Sequence, residues 1–133
     1  MCDISVAIPT YNRKEYLQQA IANCFDGNSA IDVEVIVVDD GSTDGTRAYL
    51  KEIDNPAVRP IFQDHQGGQV ARNRGLDAAR GRYVKFLDDD DWLAAGALSK
   101  EVRMLDKHDA DVCYGHFCKV NDDGAVLAEI SQP

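Results

Sequence analysis

Short continuous apolar runs alternate with longer stretches in which apolar residues return every three or four positions. The runs read as strands and the stretches as helices. Residues 4–8 form the first run, closed by Pro9. Leu17, Ala20, Ile21 and Cys24 then recur at helical spacing, with Gln18, Gln19 and Asn23 on the wet face, and Asn12-Arg13-Lys14-Glu15 offers the N-cap and acid of a capping box. Residues 33–38 are β-branched apart from Glu34, which predicts a strand covered on both faces. In the polar turn that follows, Ser42 or Thr43 can cap a second helix through Tyr49, Leu50 and Ile53. Residues 58–62 read as a third strand, interrupted by Pro60. Gly67-Gly68 opens a third helix whose Ala71, Gly75, Ala78 and Ala79 make a narrow face, with Gly81 as its C-cap. A fourth strand over 83–87 and a helix through Leu98, Val102 and Leu105 come next. Residues 111–120 and 125–130 then read as two strands around the hairpin turn Asn121-Asp122-Asp123-Gly124.

Alternating strands and helices imply an α/β fold: a doubly wound, mostly parallel sheet with right-handed crossovers, ending here in a β-hairpin. Ligands of such sheets bind outside the carboxyl ends of the strands, near the switch in strand order. Three of those ends are polar: Pro9 to Arg13, Asp39 to Thr43, and Asp88 to Asp91. The topology should bring them to one crevice.

With 133 residues the chain is expected to form one domain with a core that needs no staples. Its 14 basic and 23 acidic residues, net charge -9, speak against a general nucleic-acid or anionic-membrane surface. Cys2, Cys24, Cys113 and Cys118 show neither a C-x-x-C pair nor zinc spacing, so reduced thiols in a cytoplasmic protein are expected, with Cys24 in the core. No basic and apolar leader is visible, and no apolar stretch approaches the ~20 residues of a membrane span.

The four consecutive aspartates, Asp88 to Asp91, carry the sharpest chemistry. Carboxylates this close must splay into water, take up protons or share a cation. A hard ion such as Mg²⁺ or Mn²⁺, held by carboxylates and a ligand's phosphates, satisfies the last option, and an acidic, solvated helix start is the plain alternative. Arg13, Arg72 or Arg74 could neutralise remaining phosphate charge. Asp39 or Asp40 can accept hydrogen bonds from a base or ribose, and Tyr11 offers a face for stacking. Together they describe a nucleotide diphosphate pocket. Taken singly, Tyr11 reads equally as a half-buried aromatic, the Asp pair as a capped turn, and the arginines as a solvated helix face.

Residues 4–13 (Ile-Ser-Val-Ala-Ile-Pro-Thr-Tyr-Asn-Arg) and 35–46 (Val-Ile-Val-Val-Asp-Asp-Gly-Ser-Thr-Asp-Gly-Thr) closely resemble the family 2 glycosyltransferases. Residues 67–76 (Gly-Gly-Gln-Val-Ala-Arg-Asn-Arg-Gly-Leu), with 79–83, resemble the family's third motif, and residues 86–91 its D-x-D segment. Four motifs in order, spanning residues 4–93, are far more specific than one pattern. The resemblance implies a GT-A fold and transfer of a sugar, with inversion, from a nucleotide-diphosphate sugar to a saccharide or other hydroxyl acceptor, UDP being the default carrier. It implies that Pro9, Thr10, Tyr11 and Arg13 line the nucleoside pocket and that Asp40 reads the base with Asp39 in support; Arg72 is expected among the nucleotide-binding residues. By the same resemblance Asp88 lies near the ribose and donor sugar with Asp89 beside it. Asp90 is then the ligand of Mg²⁺ or Mn²⁺, and Asp91 either joins it or caps the next helix.

An inverting transferase also needs a general base, which the family carries in an acceptor-binding half after the donor half. His108, His116, Asp122, Asp123 and Glu129 stand in no matching context, so the base is expected beyond Pro133 and this chain is expected to be the donor-binding part. A non-catalytic nucleotide-binding domain is the alternative. A receiver-type signalling module fits less well, because Pro9-Thr10 stands where its first acidic pair belongs. An aspartyl phosphatase would need an Asp at Val38, and a nucleotidyltransferase a glycine-rich loop after the first strand. A sheet edge near residues 125–130 offers pairing to a second copy, a homo-oligomer.

Overall fold

The computed structural model of the chain describes residues 2–130. Its elements are β1 (Ile4–Thr10), α1 (Lys14–Phe25), β2 (Val33–Asp39), α2 (Thr46–Glu52), β3 (Val58–Phe62), α3 (Gly68–Ala78), β4 (Tyr83–Phe86), α4 (Ala97–His108), β5 (Phe117–Val120) and β6 (Val126–Ile130). They fall into two compact units that divide after Val102. No helix among the described residues is long and apolar enough to cross a membrane.

The first unit is built on a parallel sheet in the order β3-β2-β1-β4. The β-branched run of β2 explains its central place: Val35, Ile36, Val37 and Val38 are all buried. Because side chains alternate across a strand, Val35 and Val37 join Val6, Ile8, Leu17, Cys24, Leu50 and Leu98 on one face. Ile36 and Val38 join Ala71 of α3 on the other. Burial pushes the Cys24 thiol up to about 12, which marks it as a core side chain rather than a nucleophile.

Small residues set the depth of α3 on the sheet. A Cβ at Gly75 would stand 2.9 Å from the Ala7 Cβ, so the absence of a side chain is what lets this helix lie against β1. Gly81 does not cap the helix as expected. α3 ends at Ala78 with Ala79 extended, and Gly81 instead passes so close to β1 that a Cβ would lie 2.6 Å from the Ser5 amide nitrogen.

β1 and β2 run past their predicted ends to Thr10 and Asp39. Pro9 is tolerated in an interior strand because β4 pairs only with Ile4 to Ala7, so the flank facing β4 is open at Pro9. Both predicted caps are corrected. Asn12 forms no capping box: it adopts a left-handed φ of 53°, and its Oδ1 accepts from the Thr43 amide at 2.7 Å. Ser42 Oγ accepts from the Asn12 amide at 2.9 Å rather than capping α2, whose first amide, Thr46, donates to Asp44 Oδ1 at 3.0 Å. The signals read as local caps thus tie two loops together.

In the second unit β5 and β6 pair antiparallel. Asn121 Oδ1 accepts from the amides of Asp123 and Ala125 and shapes the predicted turn. Residues 111–116 are not strand: β5 begins at Phe117, whose partner is Ile130, and among the described residues no strand pairs with Val112 or Tyr114.

Candidate functional site

The chain winds outward through β1, β2 and β3, then returns through α3 to place β4 on the far side of β1. That reversal makes the carboxyl end of β1 the switch point, where a crevice forms. A cleft of about 380 Å³ lies there. The end of β1 supplies Pro9 and Thr10 and the loop after it Tyr11 and Arg13; Asp40 follows β2 directly; the loop after β3 supplies His65 and Gly67 and the start of α3 Gly68 and Arg72; and the segment after β4 supplies Asp88, Asp89 and Asp90.

Asp39 is not among these lining residues. Successive side chains of a strand point to opposite faces, and Asp39 points inward, fully buried, where its Oδ2 accepts from Arg47 Nε at 2.9 Å. Arg74 also lies off the cleft wall, with its Nη1 within 3.4 Å of the Phe62 carbonyl oxygen.

Asp40 is buried at the base of the cleft, and the segment after β3 converges on it. Its Oδ1 accepts from Gln63 Nε2 at 2.8 Å and the Gln66 amide at 2.7 Å. Its Oδ2 accepts from the Gly67 amide at 3.0 Å and lies 2.9 Å from His65 Nδ1. Burial by itself would raise the Asp40 pKa, but these donors outweigh it and hold the carboxyl below its ordinary value. The His65 ring packs on Tyr11 with centroids 4.4 Å apart. Neither Gln63 nor His65 was anticipated from sequence. The available signal was topological: Gln63-Asp64-His65-Gln66 is the polar segment after β3, and the fold brings every strand's carboxyl end to one edge.

The aspartate run divides its labour. Asp89 is buried: its Oδ2 accepts from Thr10 Oγ1 at 2.8 Å and its Oδ1 lies 3.4 Å from Arg13 Nη1. Burial is the largest influence on Asp89 and, with the Asp90 charge, leaves its pKa raised despite those two partners. Asp88 and Asp90 stay exposed and paired, Asp88 with Arg72 Nη2 at 2.9 Å and Asp90 with Arg13 Nη1 at 2.8 Å. Asp91 does not cap α4, which begins at Ala97. Partial burial, then the neighbouring carboxylates, raise its pKa. Asp88, Asp90 and Asp91 each offer a carboxylate oxygen, all within 4.8 Å of one another. An all-oxygen set of this kind suits a hard divalent cation. The donor chemistry therefore fits Mg²⁺ or Mn²⁺.

The family model described as glycosyl transferase family 2 matches residues 5–132. The chain belongs to glycosyl transferase family 2. TuaG of Bacillus subtilis, named as a teichuronic acid biosynthesis glycosyltransferase, is 34% identical over 127 residues, covering 93% of this chain and 50% of TuaG. The GalNAc(5)-diNAcBac-PP-undecaprenol beta-1,3-glucosyltransferase of Campylobacter jejuni is 35% identical over 135 residues, 98% of this chain and 43% of that protein. This family 2 chain thus spans about half the length of the curated relatives it matches. Among solved structures, residues 1–349 of S. aureus TarS superpose with a TM-score of 0.73 at 30% identity, over 80% of this chain and 33% of that one. TarS has also been solved with UDP and with UDP-GlcNAc, the latter matching with a TM-score of 0.73 at 30% identity over 80% of this chain and 32% of that one. The doubly wound sheet of this family 2 chain is the GT-A fold of those neighbours.

Proposed function

We propose that this chain is the donor-binding part of a metal-dependent, inverting glycosyltransferase that moves a sugar from a nucleotide diphosphate to an acceptor hydroxyl. The observation that carries the reading is the convergence of four strand-end segments on one cleft that holds an aromatic face, two arginines and a carboxylate cluster. A donor of this kind needs all three features. The relation to TarS, solved with UDP-GlcNAc, supports a UDP-sugar as that donor.

In this reading Tyr11 stacks on the base, and Pro9, Thr10 and Arg13 line the nucleoside end. Asp40 orders the floor beneath the base, with Asp39 anchoring the loop through Arg47. Arg72 turns from Asp88 toward the diphosphate. Asp88 faces the ribose and donor sugar, and Asp89, fixed by Thr10, holds Arg13 at the cleft wall. Asp90, with an oxygen from Asp88 or Asp91, would hold Mg²⁺ or Mn²⁺. When bound, the ion supplies charge stabilisation for the departing diphosphate, an effect worth several kcal/mol. The residue that takes the acceptor's proton is assigned to none of the cleft side chains.

Thermal melts with UDP and Mn²⁺, each alone and together, test the reading. A ligand that binds only the folded state raises the midpoint. The pair should raise it by more than the sum of the two separate shifts. A midpoint unmoved by the pair would overturn the assignment.

A further inference from the structure

Resting on the metal reading of the aspartate run, we propose that Asn28, in the turn between α1 and β2, is a positioning residue for the metal ligands, because it anchors the far end of the segment that carries them. Asp88, Asp90 and Asp91 lie on the connection from β4 to α4, residues 87–96, which contains no helix or strand. Such a stretch keeps three carboxylates at a steady spacing when both of its ends are held. The sheet holds the near end: Leu87 is buried, and its amide donates to the Ala7 carbonyl oxygen at 3.0 Å. The far end, where the chain enters α4, needs an anchor of its own.

Asn28 supplies it. The residue is 2% exposed. Its Nδ2 donates to the carbonyl oxygens of Cys24 at 3.1 Å and Asp26 at 3.2 Å, and its Oδ1 accepts from the Ser99 amide at 2.9 Å. Two carbonyls and one amide permit a single orientation of the carboxamide. Cys24 lies in the last turn of α1 and Ser99 in the first turn of α4, where backbone groups lack partners within their own helix. Gly96, just before α4, has no side chain with which to cap it, so a residue 71 positions from Ser99 does so.

A second contact fixes the same point. The Asp26 carbonyl oxygen accepts from the Gly96 amide at 2.9 Å. Gly27 and Gly96 both adopt left-handed φ angles, 70° and 74°, and a Cβ on Gly27 would stand 2.7 Å from the Gly96 nitrogen. The turn and the end of the aspartate segment therefore meet backbone to backbone. Without this anchor Gly96 can shift, and Asp91, five positions earlier, can shift with it. The carboxylate oxygens then sample wider spacings, and the cost of ordering them weakens metal binding. The floor of the cleft is held separately, by the bonds to Asp40.

Titration of Mn²⁺ followed by electron paramagnetic resonance, on the wild-type chain, Asn28→Ala, Gly96→Ala and Val58→Ala, tests this. Asn28→Ala strips the Ser99 amide and the Cys24 carbonyl of their bonds. Gly96→Ala disturbs the same anchor more mildly, by placing a side chain at a left-handed φ against Gly27. Mn²⁺ should bind Asn28→Ala about tenfold more weakly than the wild type, the scale on which removing a group that orients metal ligands acts. Gly96→Ala should fall between the two, and it decides the matter if Asn28→Ala does not fold. Val58→Ala, which opens the core at the start of β3 and lowers stability, should bind Mn²⁺ as the wild type does. UDP without metal should bind Asn28→Ala with wild-type affinity in a calorimetric titration. Wild-type Mn²⁺ affinity in the Asn28 and Gly96 variants, an equal loss in Val58→Ala, or a parallel loss of metal-free UDP binding overturns the role of Asn28 while the metal reading stands. Failure of the wild type to bind Mn²⁺ overturns both.

Discussion

Arg13 Nη1 lies 2.8 Å from Asp90 Oδ2 and 3.4 Å from Asp89 Oδ1. One guanidinium therefore neutralises both the buried carboxylate that positions it and the exposed one proposed to hold the metal. A cation entering at Asp90 competes with Arg13, whereas a bound nucleotide gives Arg13 a new partner and leaves Asp90 free. Metal and nucleotide should consequently favour one another, with the coupling reciprocal.

Arg13→Gln removes this competitor. An exposed pair contributes about 0–1 kcal/mol, so Mn²⁺ should bind the variant up to about fivefold more tightly in the absence of nucleotide. UDP should bind it more weakly, and the benefit that each ligand confers on the other should shrink. Titration of Mn²⁺ followed by electron paramagnetic resonance reads this directly, and unchanged affinity for the free ion would contradict the exchange.

Asn12 holds Tyr11 and Arg13 in place from between them. Its left-handed φ and its bonds to Ser42 and Thr43 join the β1–α1 loop to the β2–α2 loop. Asn12→Gly keeps the backbone conformation and loses the Thr43 bond; Asn12→Ala loses both. Stability should fall by roughly 0.5–1.5 kcal/mol in the glycine variant and further in the alanine variant. UDP affinity should fall in the same order. Equal stabilities in urea denaturation would contradict the loop tie.

Asp40 makes stability depend on acid in a defined direction. Its folded pKa lies below its ordinary value, so its contribution is complete above the unfolded pKa, about 3.9, and is lost as pH falls through the folded value. Glu34 acts in the same sense, because bonds from Ser5, Arg80 and Arg59 outweigh its burial. Asp40→Asn should lower the urea midpoint at pH 7 and flatten its decline as the pH falls below about 4. Wild-type and variant profiles running parallel through that window would contradict the assignment.

Gly75 sets how closely α3, and with it Arg72, approaches the sheet. Gly75→Val forces a side chain against Ala7, and overpacking of this kind costs about 1–3 kcal/mol. Combining it with Ala7→Gly vacates the contact and should recover part of the loss. A double variant no more stable than the sum of the two single changes predicts would place the effect elsewhere.

Much of the architecture was legible because the physics behind it is local. Val33 to Val38 reads as a strand covered on both faces, and β2 has sheet neighbours on either side with helices above and below. The meeting of Tyr11, Asp40 and Asp90 followed from topology, since a doubly wound sheet brings its strand ends to one edge. The misreadings share a cause: Asn12 and Ser42 carry the residue types of helix caps, but each spends its side chain on the other's loop. No local pattern announces a contact thirty positions away. Asp39 and Asp40 looked equivalent, although strand alternation already implied that only one neighbour could face the cleft. His65 escaped notice because its position follows from the partners of Asp40, and those exist only in the folded chain.

Calorimetric titration of UDP with and without Mn²⁺, on the wild-type chain and on Asp90→Ala, tests the central claim most directly. UDP binding that strengthens with Mn²⁺ in the wild type and loses that dependence in the variant is the predicted result. Binding that is indifferent to the metal in both proteins, or equally metal-dependent in both, would contradict a nucleotide diphosphate cleft organised around Asp90.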